Sequence, residues 1–200
     1  KVIAGGTFNT VGAANQANLA RFNPDGSRDT TFNPTIVGSV YAIALQRDGK
    51  IVIGGSITQV NGFLVTKLAR LNPDGTKDHI FDASPNGGDV QEILLQTDGK
   101  FLIRGTFSTV NNQSRPLLAR IMDNGQSLDT GFSPTFSNAM PSVTSITGML
   151  LQQDGKVLVG GNFNNVSGIP KQNIVRLNAE GAVDTAFTAT ASHAVTAFAE

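Results

Sequence analysis

The chain has 200 residues, 40% of them hydrophobic and 15% charged, with Lys+Arg and Asp+Glu both at 15 and a formal net charge of zero. A neutral chain lacks the basic surplus that draws proteins to nucleic acid or an anionic membrane, and no run approaches the roughly 18 apolar residues of a spanning helix. Cysteine is absent, so no disulfide or thiolate framework is available and the redox compartment stays open.

In chain order, the first predicted strand is Lys1-Val2-Ile3-Ala4-Gly5-Gly6, which runs into Gly-x-Phe-x-x-Val at Gly6, Phe8 and Val11. The next strand is Leu19-Ala20-Arg21-Phe22-Asn23. After Pro24-Asp25-Gly26 comes a short strand ending in Asp29-x-x-Phe32, and then the alternating run Val40-Tyr41-Ala42-Ile43-Ala44-Leu45. Asp48-Gly49 then leads to Lys50, where the pattern starts again. These runs are β-branched, short and broken by Gly and turn pairs, which excludes helices and makes the chain all-β.

Four markers move together along the chain. The opening Lys recurs at Lys1, Lys50, Lys100 and Lys156, and the Arg of the second motif at Arg21, Arg70, Arg120 and Arg176. An Asp recurs at Asp29, Asp78, Asp129 and Asp184, with Phe three residues later at Phe32, Phe81, Phe132 and Phe187. The chain is therefore a tandem array of four units, 1–49, 50–99, 100–155 and 156–200, forming one repeat domain.

The outer hairpin can be read in detail. Pro24 presets φ for a type I turn and Gly26 supplies the positive φ of a three-residue hairpin with a bulge. Asn23 then faces Ser27, and Arg21 faces Asp29. This predicts four structural cross-strand pairs: Arg21 with Asp29, Arg70 with Asp78, Arg120 with Asp129, and Arg176 with Asp184. Unit three has one extra residue between its Arg and Asp, which a bulge must absorb.

Four short strands repeated at 40–50 residues define a β-propeller blade, with the alternating strand innermost and the Asp-x-x-Phe strand at the rim. A linear β repeat array is the alternative. On the propeller reading the first unit lacks an inner strand, and residues 195–200 are expected to complete the first blade and latch the ring. The chain opens and closes in strand-like runs, as expected of a segment of something longer. The four units are expected to close alone, to share a ring with another chain, or to belong to a longer array.

The ordered motifs Asp48-Gly49-Lys50, Leu68 to Gly75 and Asp78 to Phe81, with copies from Lys1, Lys100 and Lys156, resemble the delta-60 repeat family of bacterial β-propeller proteins. The resemblance implies an extracellular or cell-surface bacterial repeat protein and brings no catalytic residues. Arg104 departs from it where the first Gly of the pair is expected, as do Asn124 and Glu180 at the turn Asp.

No catalytic centre is expected. The two His, His79 and His193, occupy non-equivalent positions, and His79 reads as a solvent-facing rim residue. Neither zinc spacing nor a Ser–His–acid set is present, so no metal or cofactor is expected. The Asp-Gly pairs fit hairpin geometry better than calcium loops, and the Gly-Gly pairs mark close approach of strands. Two sequons begin at Asn112 and Asn165.

Variation concentrates in the loops after Gly-x-Phe-x-x-Val, at 12–18, 61–67, 111–116 and 167–172, which are rich in Asn, Gln and Gly. The insertion at 133–142 makes Pro134, Phe136, Met140 and Pro141 the candidate contact loop. The expected function is non-catalytic, structural and adhesive, with a protein, a glycan or copies of the chain as partner. A lectin-like carbohydrate-binding propeller is the alternative; the absence of Trp and the single Tyr41 weigh against it.

Overall fold

In unit two the apolar run Ile51–Gly55 becomes the middle strand of a three-stranded antiparallel sheet, flanked by Val40–Leu45 inside and Leu68–Leu71 outside. All five residues of the middle strand are buried, as a strand covered on both faces requires. The computed structural model describes residues 1–139 and 144–199, and among these every regular element is a strand or a turn. Unit three repeats the sheet with Val90–Leu95, Phe101–Gly105 and Leu118–Ile121. Unit four uses Ser145–Leu151, Val157–Asn162 and Ile174–Leu177. The inner strand of each sheet comes from the end of the preceding sequence unit, so sheets and sequence repeats are offset by one strand.

The blade is narrower at the rim than its sequence predicts. The fourth strand is reduced to a single bridge, Leu71 to Lys77 in unit two, with the same bridge in the other three units. The cause is the repeated Asp. Asp78 Oδ1 accepts the Ile80 N–H at 3.1 Å, and the Asp78 carbonyl accepts from Phe81 N–H. These local bonds turn the chain before a second ladder pair can form.

The Gly-Gly pair answers to two different close approaches. A Cβ on Gly55 would lie 2.0 Å from the Ser39 carbonyl oxygen of the adjoining inner strand, where the register slips between Val40 and Ala42. A Cβ on Gly54 would instead strike Val90 and Ile93 of the next blade. The first glycine therefore sets the spacing between blades, and the second sets the bulge within one.

Past the middle strand each unit forms a small hairpin. In unit two Gln59–Val60 pairs with Phe63–Leu64, and Ile36–Val37 adds a third strand. Asn61 and Gly62 both take positive φ (51° and 81°), the conformation a tight two-residue hairpin needs. The variable polar loops of the sequence are thus ordered hairpins, and their tips reach the outer turns: Asn61 donates to the Gly75 carbonyl at 3.0 Å and Asn111 to the Gln126 carbonyl at 2.7 Å.

The hydrophobic core lies between consecutive blades, in three clusters. Phe32, Phe81 and Phe132 are almost wholly buried, and each packs on the turn glycine of the following unit: Gly75, Gly125 and Gly181. Burying such a ring is worth about 1.5–3 kcal/mol, so the rim phenylalanine is a blade-to-blade clasp.

One expectation is corrected. The strand Val2–Gly5 pairs with Leu19–Phe22 only, in a two-stranded sheet, and residues 195–199 add no strand to it. They lie against unit four instead, with Val195 and Phe198 facing Gly160 and the Val195 carbonyl accepting from Thr147 Oγ1 at 2.6 Å. Gly160 is the equivalent of Gly54, so the segment occupies the place of a following blade's inner strand. The physical reason is local: a bare Gly160 offers the same groove that Gly54 offers Val90.

Candidate functional site

The repeated charged residues converge in every unit. Arg70 Nε donates to Asp78 Oδ2 at 2.8 Å, and Lys50 Nζ approaches the same oxygen at 3.0 Å. The equivalents are Arg21 and Lys1 on Asp29 at 2.7 and 2.6 Å, and Arg176 and Lys156 on Asp184 at 2.9 and 3.1 Å. On Asp129 the distances are 3.0 Å for Arg120 and 3.7 Å for Lys100. The structure thus brings together all four predicted Arg and Asp residues, and adds the repeat-opening Lys as a third member. Nothing in the spacing of one hairpin points to that Lys; it arrives from the neighbouring middle strand.

Each guanidinium also stacks over the rim Phe of its own unit, at 4.4 to 5.1 Å from the ring centroid. The remaining guanidinium nitrogens of three units reach the next blade. Arg21 Nη1 donates to the Pro73 carbonyl at 2.6 Å, Arg70 donates to the Asp123 and Asn124 carbonyls at 3.3 and 3.4 Å, and Arg120 donates to the Ala179 carbonyl. One side chain therefore closes its own hairpin and fastens the following one.

The carboxylates are held in their charged form. Hydrogen bonds from Lys1 and Thr31 bring Asp29 well below the usual carboxylate range. Lys156 does the same for Asp184. At Asp78 and Asp129 burial opposes the charge, but Lys50 with Arg70, and Arg120 with Lys100, outweigh it and the pKa falls. The Asp of the Pro-Asp-Gly turns is occupied too: Asp74 Oδ1 accepts Thr76 N–H and Oγ1–H at 2.9 and 2.7 Å, which lowers its pKa. Asp48 accepts the Lys50 N–H in the same way. Among the described residues no group of three or more His, Cys, Asp and Glu is placed to hold a metal ion.

With the repeated groups committed to folding, the candidate contacts are positions where the units differ. The small hairpins are the clearest case. In unit two, Val37, Gln59 and Leu64 stand in one cross-strand row, and Val37 and Leu64 are 52% and 80% exposed. The same row reads Asn86, Thr109 and Ser114 in unit three, and Ser137, Asn165 and Pro170 in unit four. Beside it, the half-exposed Phe63 meets the His79 ring edge-on at 4.5 Å, with exposed Ile80 adjoining. Unit two alone therefore carries an apolar face at a position that is mainly polar elsewhere. Comparing the units residue by residue at Leu64 would have revealed it, whereas the pooled Asn- and Gln-rich composition of the loops conceals it.

A second break is Arg104, which replaces the inter-blade glycine of unit three. It pairs with Glu92 and donates to Gln91 Oε1 at 3.1 Å and to the Ile146 carbonyl at 3.2 Å. Gln91, Arg104 and residues 144–147 line a cavity of about 400 Å³ between the inner strands of units three and four. On the Asp-Gly side, clefts of about 480 and 520 Å³ follow two of the blade junctions, two–three and three–four, and Gln96 Oε1 and Gln152 Oε1 are buried there without a protein partner.

The insertion in unit three does not present the contacts its sequence suggests. Pro134 and Phe136 are buried, and Phe136 packs edge-on against Phe163 at 5.3 Å. Phe136 belongs to the strand Phe136–Ser137, opposite Val166, which turns its ring into the core. Met140 and Pro141 lie outside the described residues.

Offset three-stranded sheets, joined by a repeated clasp, define the chain as a set of β-propeller blades. It belongs to the family described as a domain of unknown function (DUF5122) beta-propeller, whose model matches residues 1–32, 46–81, 96–132 and 152–187. A search of curated proteins finds no match. Among solved structures, the chain is similar to a protein of unknown function from Bacteroides caccae. The identity is 10% over 83% of this chain and 73% of the other, and the TM-score is 0.26.

Proposed function

We propose that this chain is a non-catalytic repeat module of the delta-60 kind, extracellular or at the cell surface, with a structural and adhesive role. The carrying observation is the division of labour within the repeat. Its recurring Lys, Arg and Asp are spent on hairpins and blade junctions, while the unit-two face of Val37, Phe63, Leu64 and Ile80 stays exposed. Exposed apolar rows rimmed by polar residues are contact surfaces in repeat folds. The partner is a protein at a surface. In the test, beads coated with the chain are passed over a panel of matrix and cell-surface proteins. Wild-type beads are retained, and Phe63→Ser with Leu64→Asp releases them at least tenfold faster. Retention no better than that of uncoated beads on every surface would overturn the reading.

A lectin-like role is the second reading, favoured by the polar rows of units three and four and by the half-exposed Phe63 ring. On a glycan array it predicts binding that survives Leu64→Asp and is lost with Thr109→Val. Binding at background level throughout would exclude it.

A further inference from the structure

At the junction of units two and three, the bare Gly54 lets the following inner strand close onto it: a Cβ there would lie 2.6 Å from the Val90 side chain. Ile146 is the counterpart of Val90, since each pairs with the second glycine of its own unit, Val90 with Gly105 and Ile146 with Gly161. The residue that meets Ile146, however, is Arg104 and not a glycine. Its guanidinium donates to the Ile146 carbonyl at 3.2 Å, and the cavity of about 400 Å³ lies beside it, between units three and four. A cavity of that volume accommodates a small molecule.

The open valences of this cavity are donors. Arg104 is only 14% exposed; its Nε is spent on Glu92, and its Nη1 on Gln91 Oε1 and the Ile146 carbonyl. Among the described residues Nη2 has no partner, and neither do the Gln91 amide nitrogen and the hydroxyls of Thr144 and Ser145, which line the same cavity. The acceptors are already engaged. The Ile146 carbonyl holds Arg104, and the Thr106 hydroxyl oxygen accepts the Asp89 N–H at 3.0 Å. Leu117 and Ile146 add apolar wall. A guest must therefore bring acceptor oxygens and an apolar flank. Charge narrows the choice further. Glu92 already balances Arg104, so a dianion would leave excess negative charge in a poorly solvated place. A single carboxylate adds one charge and accepts the charge-assisted bonds that Nη2 offers.

We propose that this cavity binds the carboxylate of a small monocarboxylic acid, either an acidic sugar or a free acid with a short apolar tail. Arg104 Nη2 is the charged donor, with the Thr144 and Ser145 hydroxyls beside it. The site is particular to unit three, because Gly5, Gly54 and Gly160 stand at the equivalent positions. It shares no residue with the exposed face of unit two, so this proposal and the adhesive reading fail separately.

The test is ligand-detected saturation-transfer NMR on the whole chain with matched probes at millimolar concentration. Glucuronate and glucose form the sugar arm, isovalerate and isoamyl alcohol the free-acid arm, and inorganic phosphate the dianion control. Transfer to glucuronate, isovalerate or both is expected to saturate, with none to the neutral partners and no competition from phosphate; the arm that responds identifies the source. Arg104→Gly with Glu92→Ala should weaken binding by about tenfold or more. Ser145→Phe fills the cavity, leaves the guanidinium in place and should abolish binding. Glu92→Gln removes the competing charge, keeps an acceptor for Arg104 Nε and should tighten binding several-fold, a gain that a purely structural Arg104 would not give. Transfer to neither carboxylate, equal transfer to the neutral partners, displacement by phosphate, or binding unchanged in Ser145→Phe would each overturn the proposal.

Discussion

Removing Arg70 should cost far more than removing Arg176, although both occupy the same position of the repeat. Arg70 is 6% exposed, bonds Asp78 at 2.8 Å, stacks on Phe81 at 5.1 Å and donates to two carbonyls of the next blade. A charge-assisted hydrogen bond is worth about 1.5–3 kcal/mol and a cation–π contact about 1 kcal/mol. Asp78 keeps Lys50 at 3.0 Å, so its carboxylate is not orphaned and the loss stays near the low end of the 3–5 kcal/mol range for breaking a buried pair. Arg70→Ala should therefore destabilise by about 3 kcal/mol, a shift of about 6–12 °C in Tm for a domain of this size. Among the described residues Arg176→Ala removes the Asp184 and Phe187 contacts but no carbonyl of another turn, so in this chain its effect should be less than half as large. Arg70→Lys keeps the charge but loses the fork, and should fall between the two. With no Trp and one Tyr, far-ultraviolet circular dichroism during urea and thermal unfolding is the suitable assay. Equal losses for Arg70→Ala and Arg176→Ala would refute the idea that the guanidinium fastens one blade to the next.

The four repeat carboxylates make stability fall in acid. Asp29, Asp78, Asp129 and Asp184 all have folded pKa values below the ordinary carboxylate value. The unfolded chain therefore binds protons first as pH drops, and stability is lost below about pH 4. A Tm that stays constant from pH 7 down to about pH 2.5 would contradict this. Gly55→Ala should be severely destabilising or abolish folding, because its Cβ would lie 2.0 Å from a backbone oxygen. Gly62→Ala meets no neighbour but keeps a φ of 81°, so it should cost only about 1 kcal/mol. Leu64→Ser should change stability by less than about 0.5 kcal/mol, since Leu64 is 80% exposed; a larger loss on urea unfolding would make it a core residue.

The fold was legible because a repeat states its own rules four times. The Pro24-Asp25-Gly26 turn and the facing of Arg21 and Asp29 depend on hairpin geometry alone, which one unit's spacing contains. What escaped reading depends on contacts between strands that are not hairpin partners and between units. Lys50 reaches Asp78 from another strand, and Arg70 reaches Asn124 from another blade. Phe81 is buried by a glycine 44 residues further on. Asp78 had a local effect that was also missed: as a side-chain acceptor it shortens the rim strand to one bridge. The insertion misled for a related reason. Phe136 looked like an exposed anchor because it lies in an irregular stretch, but its partner strand ends at Val166, thirty residues away, and turns the ring inward.

The same distinction locates function. A side chain that recurs in every unit is accounted for by what every unit must do, which is to close a hairpin and hold its neighbour. Leu64 and Arg104 do neither in the shared way. Leu64 places an aliphatic side chain in water where Ser114 and Pro170 stand in its relatives. Arg104 inserts a charge where Gly5, Gly54 and Gly160 leave room for the next inner strand. Removing each should then have opposite signatures. Leu64 contributes nothing to the core, so its loss should touch binding alone. Arg104→Gly restores the shared junction but leaves Glu92 without its ion-pair partner, so Arg104→Gly with Glu92→Ala should recover the stability that Arg104→Gly alone loses. If the double variant is no more stable than the single one on urea unfolding, the Arg104–Glu92 pair does not act as a unit, and the departure at Arg104 is not a self-contained replacement for glycine.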